Sequence, residues 1–130
     1  MNASNAMKSY IDSALRAKVE GADSHRLIHL LLIRAQEKVT EAIVSLENGN
    51  LNAKGEASSK AISIVTYLRA SLEPGGDPSF ATRLADLYSY MERRIFEANA
   101  QNDSEGFVEV KGLLREVEEG WSAIPAEYRG

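Results

Sequence analysis

Two histidines, His25 and His29, stand four residues apart, a spacing that on a helix turns both imidazoles to one side and begins a two-histidine zinc site. The rest of that pattern is missing. Arg26 holds the position of its glutamate, no third histidine exists, and a guanidinium beside a divalent cation opposes binding. The pair reads as solvated or capping histidines, and no metal site is assigned. Carboxylate pairs on shared helix faces, Glu37 with Glu41 and Glu116 with Glu119, are where acid and base groups or a di-metal site in a bundle would have to start. No Glu-x-x-His unit occurs, and basic residues lie within a helical turn of most of these acids, as Arg34 and Lys38 do around Glu37. A solvated face laced with ion pairs is the reading. Gly75-Gly76 lacks the spacing of a phosphate loop and follows no strand, so it reverses the chain; Arg93-Arg94 is too small for a nucleic-acid footprint. The sequence assigns no catalytic residue and no cofactor, and a protein that is not an enzyme is expected.

Composition points the same way. A chain of 130 residues makes one domain, expected to span residues 1–130, large enough to bury a core without staples. Fifteen Lys and Arg against nineteen Asp and Glu leave a net charge of -4, which repels a polyanion such as nucleic acid. Absence of cysteine removes thiolate chemistry and disulfides, and fits a reducing cytosol. The longest apolar run, Leu30 to Ile33, is far short of the roughly 18 residues of a membrane span, so a soluble cytoplasmic protein without membrane insertion is expected.

The elements that must carry any site are helices. Prolines occur only at 74, 78 and 125, with Gly75 and Gly76 beside the first two, so breaks are few and segments long. Apolar residues recur at spacings of three and four in four segments: Ile28, Leu32, Ala35, Val39, Ala42 and Leu46; Ala57, Ala61, Val65, Leu68 and Leu72; Phe80, Leu84, Leu87, Met91, Ile95 and Ala98; Phe107, Val110, Leu114, Val117, Trp121 and Ile124. Asp23 or Ser24, Asn50 or Asn52, Asp77 or Ser79, and Asp103 or Ser104 supply N-caps. Short links make successive helices antiparallel neighbours. The fold class predicted is all-α, an antiparallel up-down four-helix bundle over residues 23–124. A short, peripheral and mobile N-terminal helix, around Met7 to Val19 within a cap segment 1–22, is expected to precede it.

Apolar residues exceed what one buried stripe needs. The first bundle helix carries Leu27, Ile28, Leu30, Leu31, Leu32 and Ile33, which wrap most of the way round. At about 100° per residue, Leu30, Ile33 and Val44 lie away from its seam, and Ile62 and Tyr67 lie off the seam of the second helix. Either the seam is rotated and these residues widen the core stripe, or they mark a partner site, an oligomer contact or the seat of the N-terminal helix.

An ordered set of residues resembles one family. Tyr10, then Ala22-Asp23-Ser24-His25-Arg26-Leu27-Ile28 leading into Leu30-Leu31, Ser59-Lys60-Ala61-Ile62, Leu84-Ala85-Asp86-Leu87-Tyr88-Ser89-Tyr90-Met91, Ala98-Asn99 with Asn102-Asp103, and Trp121 are similar to the flagellar secretion chaperones that guard flagellin before export. The resemblance runs from roughly Tyr10 to Ile124. Leu32 stands where the family usually has an aromatic residue, and Pro74 and Pro78 are additions at the glycine turn.

The resemblance implies a small antiparallel bundle without enzymatic activity. Such a protein binds the C-terminal segment of flagellin in the cytoplasm, stops premature polymerisation and helps deliver the subunit to the export gate of the flagellar type III apparatus. It also implies that the N-terminal segment folds back on the bundle when no client is bound, with Tyr10 as a removable cap. Physically, a client that is disordered alone can fold as amphipathic helices along the surplus apolar face. Leu30, Ile33, Val44, Ile62 and Tyr67 are the contact candidates on the bundle. A helical scaffold or regulatory interaction module that pairs with itself through the same residues is the alternative.

Overall fold

A computed structural model describes residues 24–72 and 78–123. These form four helices, α1 (Ser24–Glu47), α2 (Leu51–Ala70), α3 (Pro78–Gln101) and α4 (Ser104–Ser122). Helix α1 packs against α2 and α4, and α3 packs against the same two, so the helices stand at the corners of a square in chain order. Side-chain contacts give the directions. Lys54 at the start of α2 bonds to Asn99 near the end of α3, and His25 at the start of α1 meets Trp121 near the end of α4. The all-α antiparallel bundle expected from the periodicity is what forms. The N-terminal helix, Tyr10, the caps Asp23 and Asp77, and Ile124 lie outside the described residues.

Local chemistry sets the element boundaries. Gly49, at φ 73°, ends α1 in a left-handed turn, with the Asn50 amide donating to Ser45 O and the Gly49 amide to Leu46 O. The Asn50 side chain then accepts from the Ala53 amide and caps α2. Asn102 makes the matching turn after α3 at φ 52°, a conformation asparagine tolerates better than most residues, and Asp103 caps α4 through the Gly106 amide. Pro78 occupies the first position of α3, where its missing N–H costs nothing.

Leu32, Ala35, Val39 and Ala42 of α1, Ala61 and Val65 of α2, Met91, Ile95 and Ala98 of α3, and Phe107, Val110 and Leu114 of α4 are fully enclosed. The stripe on α1 is wider than its seam: Leu27 and Leu31 are buried as well, so part of the apolar surplus is core. Ile64 of α2 and Tyr88 of α3 join it off-seam, and burial pushes the Tyr88 phenol up to about 12. Phe80 departs in the other direction. It is in phase with Leu84, Leu87 and Met91, yet 56 % of it is exposed.

Two lysines are buried, and both are satisfied. Lys38 donates to both oxygens of Glu41, at 3.2 and 3.0 Å. Lys54 donates to Asn99 O at 2.7 Å and to the Asn102 side chain, so its charge lies among the free carbonyls at the C-terminus of α3, where the helix dipole favours a cation.

Candidate partner-binding face

Exposed apolar residues on α1 follow from helix geometry. Leu30, Ile33 and Val44 lie about half a turn from Ala35, the centre of the buried stripe. Leu30 is 44 % and Val44 47 % exposed, and Ile33 is half-buried. Two shallow depressions run along this face and share Thr40 and Glu41. The first, about 450 Å³, lies between α1 and α4 with Ile33 and Gln36 on one side and Glu118 on the other. The second, about 540 Å³, lies between α1 and α2, with Val44, Ala53 and Ala57 as apolar lining and Glu56 and Lys60 at the α2 rim.

Polar groups on the face hold one another. Arg34 bonds Glu37 at 3.0 Å, Lys38 supports Glu41 from beneath, and Gln36 donates to Glu118 at 3.2 Å and to Leu32 O at 3.2 Å. The carboxylate pair Glu37 and Glu41 thus serves two intrahelical ion pairs.

The candidates on α2 divide. Tyr67 is seven residues from Lys60, so it shares the flank that faces α1, where partial burial raises its phenol pKa. Ile62 is five residues from Tyr67 and about 140° away, on the side of Thr66 and Arg69, which both bond to Glu92 of α3. Both residues pack against the core. The structure therefore brings Leu30, Ile33, Val44 and Tyr67 to the α1 and α2 side of the bundle and sets Ile62 on the α2 and α3 side. Phe96, 66 % exposed and four residues beyond Glu92, flanks that second side. Sequence reasoning missed it, because Phe96 sits beside a seam position and its phase identifies it only once Glu92 is seen to face α2.

The histidines are neither free nor paired with each other. His25 is buried, stacks on Trp121 with ring centroids 4.8 Å apart, and places Nε2 2.7 Å from Trp121 O, while Trp121 Nε1 donates to His25 O at 2.8 Å. His29 Nδ1 lies 3.0 Å from Ser122 Oγ and its Nε2 3.8 Å from Glu118. The solvated role expected of His25 is corrected: this ring ties α1 to α4. Among the described residues, no group of three or more His, Asp or Glu side chains stands in metal-binding geometry, and no helix is long and apolar enough to cross a membrane.

A bundle with apolar residues left on its outer faces and no reactive cluster on the page is built for binding. Comparison with known proteins agrees: the family described as "Flagellar protein FliS" matches residues 6–128. The chain belongs to the FliS family of flagellar secretion chaperones. It is 38% identical over 125 residues to the flagellar secretion chaperone FliS of Salmonella typhimurium, covering 95% of this chain and 93% of that one. The flagellar secretion chaperone FliSB of Pseudomonas aeruginosa is 39% identical over 124 residues, covering 95% and 98%. FliS of Vibrio cholerae is 31% identical over 125 residues, covering 95% and 90%. Membership in FliS gives the protein an export-chaperone role in flagellum assembly, with a protein as its partner.

Proposed function

We propose that this protein binds the C-terminal segment of flagellin in the cytoplasm, prevents premature polymerisation, and passes the subunit to the flagellar export gate. The observation that carries the reading is the outer face of α1, where Leu30 and Val44 are about half exposed on a member of an export-chaperone family. Leu30 and Val44 are fourteen residues apart, about 21 Å along the helix, which is room for roughly four turns of a client helix. A client segment disordered on its own loses chain entropy as it folds here, and apolar burial on both partners offsets that loss. Tyr10, outside the described residues, belongs to this proposal as part of an N-terminal cap that leaves when the client binds.

Calorimetric titration with a flagellin C-terminal peptide tests it. Tight binding with a negative heat-capacity change is expected, and Leu30→Asp with Val44→Asp weakens it at least about tenfold. Both positions are half exposed, so the double variant keeps its fold, which circular dichroism checks. Binding that survives the substitutions moves the client to another face, and no binding to the unmodified protein removes flagellin as the client. Sedimentation of the free protein at 14.3 kDa is expected; twice that mass supports the self-pairing module instead.

A further inference from the structure

Phe80 holds an inward position in a helix whose other inward positions are covered. Met91, Ile95 and Ala98 are fully buried, Leu84 and Leu87 half-buried, and Phe80 is 56 % exposed. On α4 the burial thins toward the same end, from Phe107, Val110 and Leu114 to half-buried Val117 and Trp121. The register of α3 against α4 shows what is missing. Tyr90 and Arg94 both bond Glu109, and twelve residues from that contact in each direction bring Trp121 opposite the first turn of α3, where Phe80 lies. The described part of α4 ends there, at Ala123.

We propose that residues 124–128 cover this end of the core, with Ile124 and Tyr128 closing over Phe80 as a C-terminal latch. Ile124 is seven residues from Val117, so it leaves α4 on the stripe that already faces the interior. Pro125 disfavours a helical conformation at Ile124 and turns the chain off the α4 axis. Neighbouring helices lie about 8–10 Å apart, and three extended residues span that distance, so Tyr128 reaches the first turn of α3 without strain. Residues 73–77, Glu-Pro-Gly-Gly-Asp, leave the same end but carry no large apolar side chain. Trp121 is itself tied to His25 by stacking and two hydrogen bonds, so the latch starts from a fixed anchor.

The chain has no cysteine, which makes disulfide mapping direct. Full-length protein carrying Phe80→Cys with Tyr128→Cys is expected to form an intramolecular disulfide under mild oxidation. Val108→Cys with Tyr128→Cys, at the opposite end of α4, serves as the negative control. Failure of the first pair to close overturns the latch. Preferential closure of Phe80→Cys with Leu15→Cys assigns the cover to the N-terminal segment, and an intermolecular disulfide assigns it to a second copy; either overturns the proposal. As an independent readout, ending the chain at Ala123 is expected to raise apolar-dye fluorescence about twofold, and Phe80→Ala is expected to cancel that rise. An unchanged signal on truncation overturns the latch, whether or not flagellin binds.

Discussion

The Arg94 guanidinium is held by Glu109 at 2.9 Å and Asp103 at 3.1 Å, with Glu97 at 4.0 Å, and it lies directly over Gly106. A Cβ on Gly106 would stand 2.9 Å from Ala98 Cβ and 2.9 Å from Arg94 Nη1. The guanidinium can swing away, but Ala98 is buried on the backbone of α3 and cannot. Gly106→Ala is therefore expected to cost about 1–3 kcal/mol through overpacking, more than the roughly 1 kcal/mol that alanine gains over glycine in a helix. Urea denaturation measures it, and an unchanged or higher midpoint would show that the α3 and α4 contact yields easily. The same cluster sets an acid sensitivity. A hydrogen bond from Tyr90, then one from Arg94, holds the Glu109 carboxyl below the usual range, and the Gly106 amide does so first for Asp103. Carboxyls depressed in the folded state contribute stability that is complete above their unfolded pKa and lost as pH falls through the folded one. Stability is expected to decline below about pH 4.5. Arg94→Met should flatten that decline, and parallel slopes for variant and parent in urea titrations would remove this cluster as its source.

At the scale of elements, α1 and α4 are joined at one end by His25 and Trp121, each donating or accepting across the pair while their rings stack at an interplanar angle of 10°. Trp121→Phe keeps an aromatic ring but removes the Nε1 donor, leaving His25 O without that bond at a half-buried contact. A loss of about 1–2 kcal/mol is expected, with faster amide exchange confined to the first turns of α1. Exchange that quickens equally in α2 would show a global effect instead of a broken clasp. Trp121 is legible in the sequence as a seam residue, since its spacing from Leu114 and Val117 is that of a helix stripe. Its tie to His25 is not, because that contact depends on how the ends of two helices align 96 residues apart in the chain. The same division holds elsewhere. Asn50 and Asp103 are readable as caps from local chemistry, and the four stripes from period alone. Buried Lys38 and Lys54 are not readable, because each is satisfied by a geometry that packing supplies. The face of α1 is partly legible: the surplus is visible in composition, but only packing separates Leu31, enclosed, from Leu30, exposed.

Across the whole molecule the two ends of the bundle are unequal. At one end Phe107, Ala98 and Ala57 are enclosed, Lys54 binds the end of α3, and both tight turns are capped. At the other, Ile28, Leu72, Leu84, Leu87 and Trp121 are only half-buried and Phe80 is exposed. Local opening follows the density of buried apolar contacts, so protection against hydrogen exchange should fall along the helices from the capped end to the other. Helix α3 offers the clearest comparison, because its two halves share one backbone and differ mainly in cover. Amides at residues 91–101 are expected to exchange at least about tenfold more slowly than those at 81–87, which corresponds to roughly 1.4 kcal/mol in opening free energy. A gradient of that kind leaves the thinly covered end free to adjust while the capped end keeps the register that holds Leu30, Ile33 and Val44 in line. Uniform protection along α3 would instead mean that the bundle opens as a single unit and that the partner-binding face has no softer end from which to yield.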